Sequence, residues 1–161
     1  MLILNSGGTF NKRYNEITGE LEVPYDNLAI DEILAASKIN ILMAGVVYKD
    51  SLDMDIEDRK RIAQIISQSD EAEFVIVHGT DTMDVTAEFL DEIFDDRVIV
   101  LTGAMKPFSI EKAEASFNLG MAIGFAEHQE NAGVYICMNG KIAPWNKIKK
   151  NRELGKFEIV R

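Results

Sequence analysis

The sequence predicts an α/β fold, a three-layer α/β/α sandwich with a mainly parallel sheet of about five strands in a single domain. Short runs rich in β-branched residues alternate with longer segments of helical period, which is typical of consecutive βαβ units. Runs such as FVIV and VIVLT are apolar on both faces, as in strands that helices cover on each side. A chain of 161 residues suits one hydrophobic core.

Each predicted element follows from its local pattern. The strands are the β-rich apolar runs at 2–5, 40–48, 73–78, 97–102 and 133–138. The helices are the four segments in which apolar residues recur every three or four positions, LAIDEILAAS, DIEDRKRIAQIISQ, DVTAEFLDEIF and EKAEASFNLGMAIGFAEH.

Two segments fall outside this alternation. In KRYNEITGELEVP, at 12–24, the central Thr18-Gly19 between alternating residues predicts an excursion or a β-hairpin. The segment 139–161 has no clean period and contains a cluster of lysines, so we predict an irregular, mobile C-terminal segment.

The charge balance narrows the class of ligand. There are 17 basic and 27 acidic residues, and the formal charge of -10 disfavours nucleic acid or an anionic membrane as a partner. A small soluble ligand fits better. The start, MLILN, has no basic leader, and no run approaches the roughly 20 apolar residues of a membrane span, so we expect a cytoplasmic protein. The single cysteine, Cys137, lies in the apolar run VYICM and is predicted to be a core residue.

Polar clusters follow the predicted strands at the point where each strand ends. They are Asn5 to Thr9 after the first strand, Lys49 to Asp53 after the second and His78 to Thr82 after the third. Because the carboxyl ends of parallel strands meet at one edge of a sheet, these clusters are expected to line a ligand-binding crevice.

Each cluster also has a purely structural interpretation. The run Thr80 to Thr82 precedes a helix, and its side chains suit N-capping. The SGGT motif suits a turn, since it lacks the features of a phosphate-binding loop. His78 is typical of a strand-end residue that hydrogen-bonds locally, and with only His128 besides, no histidine metal site is predicted.

Taken together, the clusters favour a catalytic site. Thr9 and Thr80 are expected to face each other across neighbouring strand ends, with Asp81 beside one of them. A threonine hydroxyl attacks an acyl carbon only when a base takes its proton, so the base must be a lysine or a water-relayed group. The C-terminal lysines supply candidates.

Three motifs, SGGTF, HGTDTM and LTGAMKP, occur in that order at the ends of successive predicted strands. With them the sequence resembles the bacterial-type asparaginase/glutaminase family. The resemblance covers essentially the whole chain, which corresponds to the N-terminal, active-site domain of that family. We therefore expect the family's usual C-terminal domain to be absent.

The resemblance implies roles for individual residues. Thr9 is the implied nucleophile, giving an acyl-enzyme and ammonia, and Tyr14 is implied to activate its hydroxyl. Thr80 is the implied second threonine, and Asp81 is implied to receive the α-ammonium of the substrate. Lys150 aligns best with the family's catalytic lysine; the other two candidates are Lys147 and Lys149. Without the resemblance, these lysines would be interpreted as a solvated basic tail.

The resemblance also implies the substrate contacts, which come from Gly8, Ser51, Gly79, Thr80, Asp81 and Ala104. Ser51 is the implied α-carboxylate ligand, and Leu52 follows it where the family usually has glutamine. The implied substrate is L-asparagine, with L-glutamine poorer because of its extra methylene. No cofactor or metal is implied. The segment 11–22 is predicted to be a mobile lid.

Two other functions and the oligomeric state remain open at this point. The chain is either an enzyme, an amino-acid-binding or regulatory module without turnover, or a subunit of a larger amidotransferase. The expected absence of the second domain, and the many apolar residues around the helix at 111–128, predict a homo-oligomer, a dimer or a tetramer. Deeper burial of that helix in its own domain is the alternative.

Overall fold

Apolar strands and amphipathic helices alternate along the computed structural model of the protein, which describes residues 1–160. The strands are β1 (Leu2–Gly7), β2 (Arg13–Asn15), β3 (Glu20–Glu22), β4 (Leu42–Lys49), β5 (Glu73–Val77), β6 (Val98–Thr102), β7 (Gly133–Met138), β8 (Lys141–Pro144), β9 (Ile148–Asn151) and β10 (Lys156–Ile159). The helices are α1 (Leu28–Ala36), α2 (Ile56–Gln68), α3 (Met83–Asp91) and α4 (Lys112–His128). All five predicted strands and all four predicted helices are present, which confirms the predicted fold class.

The central sheet has six strands among the described residues, in the order β4-β1-β5-β6-β7-β8. The first five are parallel to their neighbours, and β8 runs antiparallel to β7. The chain passes from β1 to β4 on one side and then returns to β5 on the other side of β1. In a doubly wound sheet, the carboxyl ends of the two strands at such a reversal border a crevice.

Side chains alternate between two apolar layers, because successive residues of a strand point to opposite faces. Leu4, Phe74 and Ile76 lie in the layer that α2 and α3 cover. Ile3 and Val75 lie in the opposite layer, which α1 and α4 cover. This alternation produces the three-layer sandwich.

The prediction of an irregular C-terminal segment was wrong, because the segment forms regular strands. It forms β8, which joins the central sheet, and the antiparallel pair of β9 and β10. Asn139 and Gly140 form the tight turn between β7 and β8, with φ values of 52° and 74°. An Asn-Gly pair of this kind is a strong hairpin signal, which explains why the chain is regular here. Arg161, the last residue of the predicted segment, lies outside the described residues.

The β9–β10 pair is attached to the domain by two apolar side chains. Ile148 and Phe157 are buried to at least 98% of their surface and belong to the layer beneath α2 and α3. Their burial fixes the position of the polar side chains that lie between them in sequence.

The segment at 12–24 contains a β-hairpin, one of the two predicted possibilities. Its strands β2 and β3 pair in an antiparallel manner, with Tyr14 opposite Leu21. The side chains of Tyr14 and Ile17 are 67% and 92% exposed, so little apolar packing holds the hairpin against the domain.

Cys137 is fully buried in the layer beneath α1 and α4, which confirms its predicted place in the core. Burial raises the pKa of its thiol to about 12. Within residues 1–160, none of the helices combines the length and apolar character of a membrane-crossing segment.

Candidate active site

The crevice at the strand-order reversal is formed by the loops that follow β1 and β5. Thr9 lies two residues after the end of β1, and Thr80 lies three residues after the end of β5. Because β1 and β5 are adjacent parallel strands, both loops emerge at the same edge of the sheet.

Two glycines bring these loops into direct contact. A Cβ built on Gly8 would lie 2.4 Å from the amide nitrogen of Gly79, and one on Gly79 would lie 2.6 Å from the Oγ of Ser51. Side chains at these positions would therefore push the three loops apart. The glycines carry Thr9, Thr80 and Ser51 into one neighbourhood, as the strand-end argument predicts.

The base of the Thr9 loop is fixed by buried asparagines. Asn11 donates hydrogen bonds to Asn5 Oδ1 at 2.9 Å and to the carbonyl of Gly7 at 2.7 Å. The amide of Gly8 donates to the carbonyl of Lys49 at 2.8 Å. Thr9 itself is half-buried and begins a short 3-10 turn, so its hydroxyl lies at the edge of a rigid loop.

Lys150 joins Thr80 and Asp81 into one cluster. Its Nζ lies 2.8 Å from Thr80 Oγ1 and 2.9 Å from Asp81 Oδ1. Its side chain is only 14% exposed. Lys147 and Lys149, the other two candidates from the sequence, are exposed. A cavity of about 110 Å³ lies beside this cluster.

A second cation, Arg152, also binds Asp81. Its Nη1 donates to the carboxylate of Asp81, and its Nη2 donates to the carbonyl oxygen of Asp81 at 3.1 Å. Burial would raise the pKa of Asp81, but the hydrogen bonds from Lys150 and Arg152 lower it below its usual value. Arg152 was missed from the sequence because it lies in the turn after β9, beyond the alternating positions of the strand.

The alternative that Thr80 and Asp81 serve only to cap the following helix is not what the structure has, because neither residue is at the N-cap position of α3. Thr82 is the residue at the N-cap position of α3, and it makes no capping hydrogen bond with its side chain. Instead its hydroxyl donates to the carbonyl of Ser51 at 2.8 Å. The amide of Asp81 donates to Ser51 Oγ at 3.2 Å. Ser51 is fully buried and is thereby attached to the Thr80 loop.

A buried arginine that sequence reasoning missed supports this arrangement. Arg59 is 7% exposed and donates to the hydroxyls of Thr82 at 3.2 Å and Thr86 at 3.0 Å. It also donates to the carbonyls of Met54 and Asp55. In the sequence, Arg59 lies in the charged run EDRKR, which is typical of a solvated helix face. Arg59 therefore links α2 to the start of α3.

His78 forms local hydrogen bonds, as expected for a residue at the end of a strand. Its Nδ1 lies 2.7 Å from the carbonyl of Gly79 and its Nε2 lies 2.8 Å from Thr86 Oγ1. Since a carbonyl only accepts, Nδ1 carries the proton and Nε2 accepts from Thr86. Complete burial is the main cause that lowers the pKa of His78 to about 4, so the ring is neutral. Among residues 1–160, no group of three or more potential ligands is arranged to hold a metal ion.

Tyr14 and Ala104 are predicted site residues that lie outside the cluster of Thr80, Asp81 and Lys150. Tyr14 is on the exposed hairpin, and in the described chain no hydrogen bond joins its hydroxyl to Thr9. A cleft of about 410 Å³ separates the hairpin from the carboxyl end of β4. Ala104 follows β6 and is fully buried in the same apolar layer as Phe10 and Phe108.

Fold and crevice together define a doubly wound α/β protein with a threonine-, lysine- and aspartate-lined crevice at the point where strand order reverses. Residues 1–155 match the family described as Asparaginase, N-terminal, and the chain belongs to that family. The probable periplasmic L-asparaginase of Haemophilus influenzae is 34% identical over 125 residues, which are 71% of this chain and 36% of that relative.

Solved structures agree with this assignment. The thermostable L-asparaginase of Thermococcus kodakarensis superimposes with a TM-score of 0.82 at 27% identity, over 98% of this chain and 50% of that one. The probable cytoplasmic L-asparaginase of Campylobacter jejuni gives 0.78 at 28% identity, over 98% of this chain and 52% of that one. The chain thus spans about a third of the length of its curated relative and about half of each solved chain.

Proposed function

We propose that the chain is an L-asparagine amidohydrolase, which converts the side-chain amide of L-asparagine to L-aspartate and ammonia. The observation that carries the proposal is the contact of Gly8 with Gly79, which places the Thr9 loop beside the cluster of Thr80, Asp81 and Lys150. Membership of the asparaginase family supports the same reaction.

In the proposed reaction, Thr9 Oγ forms a bond to the amide carbon and the carbon–nitrogen bond breaks. The threonine proton leaves with the nitrogen as ammonia. Water then adds to the acyl-enzyme, which releases aspartate and returns a proton to Thr9. Tyr14 is the proposed partner that activates the Thr9 hydroxyl when the hairpin closes.

Lys150 and Thr80 are proposed to manage protons in both steps. Because Lys150 Nζ donates to Thr80 Oγ1, the hydroxyl proton of Thr80 is directed away from the lysine, toward substrate or water. The amino group close to Thr80 is suited to general acid–base catalysis.

Binding of the substrate is assigned to both charged ends of an α-amino acid. Asp81 is the proposed receptor for the ammonium, and Ser51, with backbone groups of Gly8, Gly79 and Ala104, is proposed to bind the carboxylate and the amide. L-Glutamine is proposed as a poorer substrate, since one extra methylene changes binding by roughly 1–3 kcal/mol in a site of fixed size.

The test is ammonia release from L-asparagine. Wild-type protein is expected to release ammonia, Thr9→Ala is expected to release none, and Thr9→Ser, which keeps a hydroxyl, is expected to retain part of the activity. Circular dichroism of all three proteins checks that the fold is intact. Turnover by Thr9→Ala at the wild-type rate would refute the assignment of the nucleophile.

A binding module without turnover is the second candidate, and one observation favours it. Tyr14 is 67% exposed on the hairpin, away from Thr9. Calorimetric binding of L-asparagine by the wild-type protein, without any release of ammonia, would decide for this candidate.

We further propose a homo-oligomer, a dimer or a tetramer. The outer face of α4 supports it: Phe117 is 58% exposed, and Gly120 and Gly124 follow at helical spacing with open space around them. Phe117→Glu is expected to shift sedimentation toward the monomer. A wild-type protein that is already fully monomeric and active would contradict this proposal.

The cytoplasm is the proposed compartment. The buried, unpaired Cys137 suits a reducing environment, and one structural neighbour is a probable cytoplasmic asparaginase, although a relative is named periplasmic. Fractionation of the host cell tests this proposal: recovery of the protein in the periplasm would contradict it.

A further inference from the structure

We propose that Arg152 makes the site selective for ligands that carry both an α-ammonium and an α-carboxylate. In the ligand-free protein, the guanidinium of Arg152 is hydrogen-bonded to the carboxylate of Asp81. When the ammonium of the ligand binds Asp81, the guanidinium moves to the α-carboxylate of the ligand. This inference rests on the proposed function, because it assigns the ammonium to Asp81.

The charges around Asp81 do not suit an ammonium alone. The cavity beside it is lined by two carboxylates, Asp81 and Asp84, and by three cations, Lys149, Lys150 and Arg152. The carboxylate of Asp81 already accepts hydrogen bonds from Lys150 and Arg152. An incoming ammonium must therefore replace one of these two cations, or the local charge becomes still more positive.

Arg152 is the cation that is free to leave. Lys150 is 14% exposed and is also bonded to Thr80 at 2.8 Å. The side chain of Arg152 is 63% exposed, lies in the turn between β9 and β10, and makes its hydrogen bonds only to Asp81 within the described chain. An exposed ion pair of this kind contributes little free energy, so its exchange costs little.

The ligand carboxylate lies within reach of the displaced guanidinium. In any α-amino acid the ammonium nitrogen and the carboxylate carbon are about 2.5 Å apart, because only one carbon separates them. Ser51 Oγ, the proposed carboxylate partner, accepts from the amide of Asp81 at 3.2 Å. Arg152 donates to the carbonyl of that same residue at 3.1 Å. A guanidinium binds a carboxylate with two parallel hydrogen bonds, which suits this position.

The exchange has a signature in ligand affinity. A ligand with the ammonium but no α-carboxylate must break the pair of Arg152 and Asp81 and gains nothing in return. A ligand with the carboxylate but no ammonium can bind the guanidinium of Arg152. It supplies no cation to take the place of Arg152 at Asp81. Only the complete zwitterion satisfies both groups.

The experiment measures the dissociation constants of three unreactive probes by calorimetry. L-Aspartate carries both groups, L-isoasparagine keeps the ammonium but has a neutral α-carboxamide, and succinate lacks the ammonium. The variants are Arg152→Gln and, as a matched control, Arg61→Gln. Arg61 is likewise exposed at 65% and pairs with an aspartate, Asp58, that also binds a lysine.

In Arg152→Gln, isoasparagine is expected to bind about two- to fivefold more tightly, because no exposed ion pair is broken. Succinate is expected to bind about tenfold more weakly, because it loses a charge-assisted hydrogen-bonding partner. The ratio of the two dissociation constants thus changes by about 20-fold or more. Arg61→Gln is expected to leave this ratio unchanged.

Ammonia release by the wild-type protein separates the possible failures. If the wild type hydrolyses L-asparagine and the ratio is the same in Arg152→Gln, the role of Arg152 is overturned and the proposed function stands. If the wild type neither binds the probes nor releases ammonia, the proposed function is overturned and the role of Arg152 with it.

Discussion

The backbones of Gly8 and Gly79 are in contact, so that a Cβ on Gly8 would lie 2.4 Å from the amide nitrogen of Gly79. This contact joins the loop after β1 to the loop after β5 at the reversal of strand order. Gly8 also has φ of 76° and ψ of 178°, a conformation that is essentially restricted to glycine. Two independent constraints therefore exclude a side chain at this position.

The first prediction is that Gly8→Ala lowers both stability and ammonia release. The backbone conformation alone costs of the order of 1–3 kcal/mol for a residue with a Cβ. Gly155→Ala is the matched control, since Gly155 also has a positive φ, of 60°, but has open space around its Cβ position, so it is expected to lose less stability than Gly8→Ala. Urea denaturation measures the stability of both variants, and an ammonia assay measures the activity of Gly8→Ala. A Gly8→Ala protein as stable and active as the wild type would contradict the argument.

Much of the fold was predictable because burial leaves a strong pattern. Runs such as FVIV are apolar on both faces only when helices cover both sides of a strand, and β5 and β6 are buried in that way. By contrast, β9 and β10 are four-residue strands that bury chiefly Ile148 and Phe157. Two buried positions in short strands rich in lysine do not give a recognisable period.

The candidate site was predictable to the extent that it depends on strand ends. Thr9, Ser51 and Thr80 follow parallel strands, and that rule alone predicts that they share one edge of the sheet. The contacts of Lys150 and Arg152 depend on how the β9–β10 pair docks onto the domain, which local sequence does not encode. Arg59 was missed because it binds hydroxyls and backbone carbonyls, and a buried arginine of this kind has the same local sequence pattern as an exposed one.

The second prediction concerns the candidate lysines. Lys150→Met is expected to reduce ammonia release by about 10²–10⁴-fold, the usual contribution of a general acid or base. Lys147→Met is the control, because Lys147 is exposed and does not line the cavity beside the cluster, and it is expected to keep wild-type activity. Turnover rates of purified variants decide between them. Loss of activity in Lys147→Met alone would assign the role to that residue instead.

The third prediction concerns Asp81. Asp81→Asn is expected to weaken binding of L-aspartate about tenfold or more, because hydrogen bonds to charged groups contribute roughly 1.5–3 kcal/mol. Asp84→Asn is the control, since Asp84 is exposed and lines the same cavity without the two cations on its carboxylate. Calorimetry with L-aspartate measures both variants. Equal affinities for wild type and Asp81→Asn would remove Asp81 as the receptor for the ammonium.

The fourth prediction is a pH dependence of stability caused by His78. Its pKa is lowered to about 4 in the folded protein, mainly by burial, whereas the unfolded chain has the ordinary value of 6.5. Between these values the unfolded state binds more protons, so the free energy of unfolding falls as pH falls from 6.5 toward 4. The full stabilisation is present above pH 6.5, and a shift of this size corresponds to about 3 kcal/mol.

Denaturation by urea at several pH values between 4 and 7 measures this slope. His78→Gln keeps polar atoms at the site but cannot take up a proton, so its slope between pH 5 and 6.5 is expected to be much smaller. His128→Gln is the control, because His128 is exposed on the last turn of α4. An equal slope in wild type and His78→Gln would show that other groups cause the dependence.

The last prediction is that the segment 11–22 closes over bound ligand. Its hairpin exposes Tyr14 and Ile17, and a cleft of about 410 Å³ separates it from the end of β4. Closure would bring the Tyr14 hydroxyl toward Thr9 and exclude water from the crevice, as lids do in other enzymes. Amides of this segment are therefore expected to exchange with deuterium more slowly when L-aspartate is bound, while those of the segment 129–132, which precedes β7 at the opposite edge of the sheet, are unchanged. Equal exchange rates in the segment with and without L-aspartate would refute the lid.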